Sequence, residues 1–268
     1  MFSVTSSSAV TTPSGARLWA ERTGTGTPIV LLHGAGIDSR LWDTVVPGLA
    51  AAGHSVIRYD AAGLGRSGPV SAPFWDVDDL SAVLDHFQVE RAVLAGMSMG
   101  GETALDFALA YPGRVTALVL VGASVSGYQW PASAGQSAYS AARRERDAAR
   151  LAELELSIWA SMGTAAPGGD LIAAMVAENA QRRVECEPLA RRAEADAISR
   201  LGQLTMPALV LHGDRDHPEI GVIAGRLLAG LPRARGELVR DADHYLPLRT
   251  PERLTGLMTQ HLKRLPHG

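Results

Sequence analysis

A serine set among glycines, Gly96-Met97-Ser98-Met99-Gly100-Gly101, is the first group in this chain that could do covalent chemistry. An apolar run, Arg91-Ala-Val-Leu-Ala95, leads into it and a helical pattern, Glu102 to Tyr111, follows. A serine on a tight turn between a strand and a helix is the G-x-S-x-G nucleophile elbow. The turn pushes the hydroxyl outward and brings the residues two before and two after the serine too close for a Cβ. A serine hydroxyl is a weak nucleophile at neutral pH, so the chemistry also demands a base, an orienting acid and donors for a developing oxyanion.

The eight histidines narrow the base to one. His244 lies in Asp241-Ala-Asp-His244, a loop after a short strand and before the last helix. His261 and His267 lie in or after that helix. His33 and His212 end strands, where they bond loop backbone. His54 and His86 read as surface residues, and His217 adjoins Asp216 too closely to turn its ring onto that carboxylate. The acid that fixes the base's tautomer comes from Gly213-Asp214-Arg215-Asp216. Asp216 is preferred to Asp214 because it lies farther from the strand end and is freer to turn inward. The oxyanion donors are the N–H of Met99, at a helix N-terminus where such groups are free, and that of Ala35 in the Gly34-Ala35-Gly36 turn.

These groups need elements to carry them. Two short strands over residues 2–22 surround a turn at Pro13-Ser-Gly15. Pro28-Ile-Val-Leu-Leu-His33 is a continuous apolar run, as a strand buried on both faces requires. A helix over 39–52, the strand Ser55–Asp60, a Gly-rich loop at 61–68 and a helix over 76–87 follow. Then come the strand into Ser98, its helix and the strand Val115–Val121. Residues 125–203 contain only helical patterns. The alternation resumes with the strand Pro207–His212, a helix over 219–230, the strand Gly236–Val239 and a helix over 251–264. Repeated strand–helix alternation predicts an α/β protein with a mostly parallel, doubly wound sheet of about eight strands. In such sheets ligands bind beyond the carboxyl ends of the strands. His33–Gly36, Ser98, Asp216 and His244 all sit at such ends, on one edge of the sheet.

Taken together, the sequence resembles the α/β-hydrolase family along nearly its whole length. The resemblance rests on His33-Gly-Ala-Gly36, Asp60-Ala-Ala-Gly63-Leu-Gly65-Arg-Ser67, Gly96-Met-Ser98-Met-Gly100-Gly101, Gly213-Asp-Arg-Asp216 and Asp243-His244. The order Ser, Asp, His is the family's order, and 28 residues separate Asp216 from His244. The resemblance implies a hydrolase core over 1–124 and 204–268, with 125–203 a helical cap over the site. It also implies acyl transfer. Ser98 attacks a carbonyl, His244 takes its proton, Asp216 holds the imidazolium, and Ala35 and Met99 bind the oxyanion. No metal or organic cofactor is called for. Many relatives carry arginine at Ala62 and histidine at Leu64, in a loop that is structural in the family.

The implied substrate is a small or medium apolar ester or lactone. The same triad serves carbon–carbon bond hydrolysis, perhydrolysis and lyase chemistry in relatives, and the elbow and Gly-rich turn also look similar to enol-lactone hydrolases, cofactor-free haloperoxidase-like proteins and ring-cleavage hydrolases. A non-catalytic receptor using the same pocket is the other class of reading. Gly36, Trp130, Trp159 and Met162, with Tyr128, are the candidate substrate contacts; at helical spacing Tyr128, Trp130, Trp159 and Met162 read equally as core.

Bulk composition agrees with a globular enzyme. Hydrophobic residues make up 46% and charged residues 20%, and the net charge of -3 makes no electrostatic case for nucleic acid or an anionic membrane. Cys186 is the single cysteine, so no intrachain disulfide can form, and it reads as an incidental residue. The first ten residues lack a basic stretch and a long apolar core, and no run is long enough to span a bilayer. The expected location is cytoplasmic; the residue pattern does not choose between monomer and homodimer.

Overall fold

A computed structural model describes residues 5–132, 134–191 and 195–265. Its centre is an eight-stranded sheet built from β1 (Thr5–Thr11), β2 (Arg17–Thr23), β3 (Thr27–Leu32), β4 (His54–Tyr59), β6 (Ala92–Met97), β7 (Val115–Val121), β9 (Ala208–Gly213) and β10 (Ala234–Val239). The order across the sheet is β1-β2-β4-β3-β6-β7-β9-β10. β2 runs antiparallel to both β1 and β4, and every other pairing is parallel. The two-residue strands β5 (Phe74–Trp75) and β8 (Ala190–Arg191) pair separately.

The strand sequences explain the layering. Side chains alternate across a strand with a period of two. In β3, Ile29 and Leu31 join the core on one face of the sheet, while Val30 and Leu32 join the core on the other. In β9, Leu209 and Leu211 take the first face and Ala208 and Val210 the second. The first face packs against α1 (Val46–Ala51) and α10 (Pro251–Leu262) through Leu49, Leu254 and Met258. The second packs against α2 (Asp76–His86), α3 (Met99–Ala110) and α8 (Pro218–Gly230) through Leu84, Leu105 and Ile223. A strand buried on both faces has no polar side to show, which is why these runs lack polar alternation.

The helix expected over 39–52 is two pieces. A single 3₁₀ turn, Ser39–Trp42, is capped by the Asp38 carboxylate accepting from the Arg40 N–H at 3.1 Å, and α1 begins only at Val46. Pro47 is the reason: proline is accommodated in a helix's first turn, where its missing N–H costs nothing, and not in its interior.

Residues 125–203 carry α4 (Ala134–Glu145), α5 (Ala148–Trp159), α6 (Gly169–Cys186) and the short α7 (Ala197–Arg200), along with β8. The first three pack on one another through Ala142, Leu151, Leu154 and Val184. α6 is fastened to the core by Asn179. Its amide oxygen accepts from the Gly65 N–H at 2.7 Å and its amide nitrogen donates to Asp38 at 3.0 Å. Among the described residues no helix is long and apolar enough to cross a membrane.

Candidate active site

The site begins with backbone strain. Ser98 has φ +53° and ψ −117°, a conformation that non-glycine residues rarely adopt. Its surroundings hold it there. Its N–H donates to Val121 C=O at 3.1 Å, and its own C=O accepts from the N–H groups of Gly101, Glu102 and Ser124. A Cβ on Gly96 would lie 2.2 Å from Gly100 O, and one on Gly100 would lie 2.5 Å from Leu32 O. The glycines therefore let β6, the first turn of α3 and the end of β3 touch.

That contact brings the Gly34-Ala35-Gly36 turn to the serine. β3 and β6 are hydrogen-bonded neighbours, so the loop leaving Leu32 and the elbow leaving Met97 emerge side by side. A Cβ on Gly34 would sit 3.3 Å from the Ser98 Cβ. The Met99 N–H opens α3, where first-turn amides have no intrahelical partner. His33 supports the turn: its Nε2 accepts from the Ala61 N–H at 2.9 Å, so Nδ1 carries the proton and donates to Gly34 C=O at 2.8 Å.

Asp216 and His244 meet at the ends of β9 and β10. The His244 Nδ1–H donates to both Asp216 carboxylate oxygens at 3.0 Å, with both side chains buried. The His217 N–H also donates to Asp216 Oδ1, at 2.7 Å. With Nδ1 donating, the lone pair of the imidazole is on Nε2. Asp214 does something else: its carboxylate accepts from the Ala242 N–H at 3.3 Å and its own N–H donates to Val239 C=O, tying the two loops together. Gly122, after β7, lies beneath the pair with φ +50°. A Cβ there would meet Asp216 Oδ2 and His244 Nδ1 at 3.2 Å.

Beside the Gly34-Ala35-Gly36 turn is a cavity of about 190 Å³. Ala35, Gly36, Ala61, Ala62, Leu64, Phe74 and Met99 form its apolar wall, and Asp76, Arg143, Arg183 and Glu187 add charge. Cys186 also lines it. The thiol is buried against Gly63, and burial with the nearby Glu187 charge pushes it up to about 11, so it is inert rather than nucleophilic. The loop Ala61–Gly68 owes its shape to Asp60, whose buried carboxylate accepts from the N–H groups of Ser39 and Arg66 and from the Arg66 side chain.

The expected substrate contacts divide. Gly36 lines the cavity. Trp159 does not; its indole stacks on His244, with ring centroids 4.4 Å apart. Trp130 packs edge-on against Trp159 and Tyr128. Met162 offers its N–H to Asp243 at 3.1 Å, which makes it part of the scaffold behind His244. His54, expected at the surface, is half-buried with a ring nitrogen that has no partner, and burial lowers its pKa. Phe74, Asp76 and Arg183 escaped the sequence reading. Phe74 and Asp76 lie two residues apart and Arg183 more than a hundred residues further on, and only the crossing of α6 over the sheet edge brings them together. Among the described residues no cluster of His, Cys, Asp and Glu is arranged to hold a metal ion.

A family model described as the alpha/beta hydrolase fold matches residues 27–158. A 2-hydroxy-6-oxononadienedioate/2-hydroxy-6-oxononatrienedioate hydrolase from Cupriavidus pinatubonensis is 32% identical over 247 residues, which cover 85% of this chain and 84% of that protein. A thermophilic esterase from Thermogutta terrifontis superposes with a TM-score of 0.80 at 25% identity, covering 97% of this chain and 99% of that one. The esterase RhEst1 from Rhodococcus superposes with a TM-score of 0.81 at 25% identity, covering 97% and 100%.

Proposed function

Because this chain belongs to the α/β-hydrolase family, we propose that it cleaves a carboxylic ester or lactone of a small or medium apolar substrate through an acyl-enzyme on Ser98. The observation that carries this reading is the two-oxygen hydrogen bond of Asp216 to His244 Nδ1, which leaves Nε2 free to take a proton. Ser98 Oγ adds to the carbonyl carbon as its proton passes to Nε2. The Ala35 and Met99 N–H groups hold the resulting oxyanion. Collapse breaks the carbonyl–oxygen bond, and the leaving alkoxide takes the proton from His244. Water, deprotonated by the same nitrogen, then releases the acid. Helices α4, α5 and α6 act as a cap whose inner surface selects the substrate.

Purified protein is expected to hydrolyse a short-chain aryl ester and to be captured by serine-directed phosphonates. Ser98→Ala should cost about three orders of magnitude or more in kcat. Activity within about tenfold of the unmodified protein would remove Ser98 from its role. The second reading is carbon–carbon bond hydrolysis, favoured by the relative at 32% identity. Turnover of ring-cleavage dienoates together with inertness toward aryl esters would replace the first reading with the second.

A further inference from the structure

The loop Ala61-Ala62-Gly63-Leu64-Gly65 is tightly held yet carries little side-chain bulk. Its backbone is bonded at both ends. The Ala61 N–H donates to His33 Nε2 at 2.9 Å, the Gly65 N–H to the Asn179 amide oxygen at 2.7 Å and the Arg66 N–H to Asp60 Oδ2 at 2.8 Å. Between them the Leu64 N–H donates to Ala61 C=O, and the Ser67 N–H to Leu64 C=O, both at 3.0 Å. A Cβ on Gly63 would lie 2.5 Å from the Cys186 Cβ, and one on Gly65 would lie 2.6 Å from Asp60 Oδ2. The loop is thus pressed against α6 on one side and the Asp60 carboxylate on the other, which gives Ala62 and Leu64 fixed positions.

Those two residues, 2% and 5% exposed, line the 190 Å³ cavity together with Phe74. The charged residues of the lining are already engaged. Arg183 donates to Glu155 at 2.8 Å and to the Tyr139 hydroxyl, Arg143 pairs with Glu187 at 2.7 Å, and Asp76 is not free either. None of them needs a ligand's charge to satisfy it. Ala35 and Met99 line the same cavity. Their N–H groups are the proposed oxyanion donors, so a chain joined to the reacting carbonyl, through its carbon or through its ester oxygen, starts at the cavity's edge. The volume accommodates about six groups at about 30 Å³ each.

We propose that this cavity is the subsite for a straight apolar chain, and that Ala62 and Leu64 set the length it accepts at about six carbons. The inference rests on the ester-hydrolysis reading and names the substrate class of that site: an ester with a medium alkyl chain on its acid or its alcohol side. Each methylene that leaves water for the cavity adds a similar increment of binding until the space is full. The next one stays in water or strains the wall. The dependence on chain length therefore rises and then breaks, at a point fixed by volume.

Two ester series test this and separate the two sources of the chain: p-nitrophenyl esters from acetate to decanoate, and acetates from ethyl to decyl. In one of them kcat/KM should rise by about threefold per carbon and stop rising at about six carbons. The series that breaks identifies which part of the ester occupies the cavity. Ala62→Val, which adds two carbons to the wall, should move that break down by about two carbons. Leu64→Ala, which removes three, should move it up by about three. Ratios between chain lengths within one variant do not depend on how much of it is folded. A break in neither series would overturn the proposal without any variant having to fold, and so would a break that neither variant moves. If no ester of either series is turned over, the ester reading fails while the subsite is still measurable. Capture of Ser98 by alkyl fluorophosphonates of graded length should then show the same break; capture at a rate independent of length would overturn the subsite, and no capture at all would overturn both.

Discussion

The indole of Trp159, the last residue of α5, lies over the imidazole of His244, with ring centroids 4.4 Å apart and planes inclined by 32°. One helix of the 125–203 segment thus covers the group proposed to carry the proton. An aromatic face attracts a cation, most strongly where water is excluded, so in the proposed reaction the stacking favours the imidazolium that forms as Ser98 attacks. Trp159→Leu is expected to lower kcat by about tenfold, in line with the one to two kcal/mol of such contacts, and Trp159→Phe should recover most of it. Steady-state kinetics on a short aryl ester checks this. Equal rates for the Leu and Phe variants would show that the ring's electrons are irrelevant.

Gly122 should tolerate no side chain. Its φ of +50° is strained for any L residue, and a Cβ would press on both Asp216 and His244 at 3.2 Å. Gly122→Ala is expected to reduce kcat by about tenfold or more, because Asp216 and His244 must give by a few tenths of an ångström to admit the methyl. Circular dichroism should show the fold retained. An alanine variant with full activity would mean that the pair can shift without consequence.

Arg249 and Asp243 form an ion pair with no exposed side-chain surface, N···O 2.9 and 3.0 Å. Arg249 also donates to the carbonyls of Gly163, Ala166 and Pro167, so one side chain ties the chain before α6 to the residue preceding His244. Removing one partner of a buried pair typically costs about 3–5 kcal/mol. Arg249→Met should therefore lower Tm by about 10 °C, at roughly 2–4 °C per kcal/mol for a chain of this size. A shift under about 3 °C in calorimetry would contradict this.

Asp79 gives stability a pH dependence. Burial, reinforced by the charges of Asp76 and Asp78 and opposed by a hydrogen bond with Thr12, lifts its carboxyl from 3.8 to about 7. One of its oxygens has no hydrogen-bond partner. A raised carboxyl keeps in the folded state a proton that the unfolded chain releases, so stability falls as pH rises from about 4 to about 7 and then levels off. Asp79→Asn stays neutral throughout. It should raise Tm by about 3 °C or more at pH 8 and change it little at pH 4. An equal shift at both pH values would assign the effect to something other than ionisation.

The elements most legible in the sequence were those whose signal is local. The apolar runs of β3, β6, β7 and β9 read directly as strands because burial on both faces leaves no polar positions. The apolar spacing of Leu41, Trp42, Val45 and Leu49 read as one helix and the break at Pro47 went unread, because those side chains reach the same core from two separate pieces.

By itself, the sequence determined the α/β architecture and which residues stand at strand ends: Ser98 after β6, Asp216 after β9 and His244 after β10. A glycine-framed turn and a strand's apolar run are properties of neighbouring residues. Only the tertiary structure decided what those side chains meet. The Asp216–His244 hydrogen bond, the Trp159 stack and the pairing of Arg183 with Glu155 join residues 28, 85 and 28 positions apart. Trp159 read equally as core or as ligand contact, because its environment is set by where α5 crosses the sheet edge. Glu155 carried no signal of its own within the helical pattern of Leu151, Leu154 and Ile158, because its burial depends on α4 and α6 closing around it.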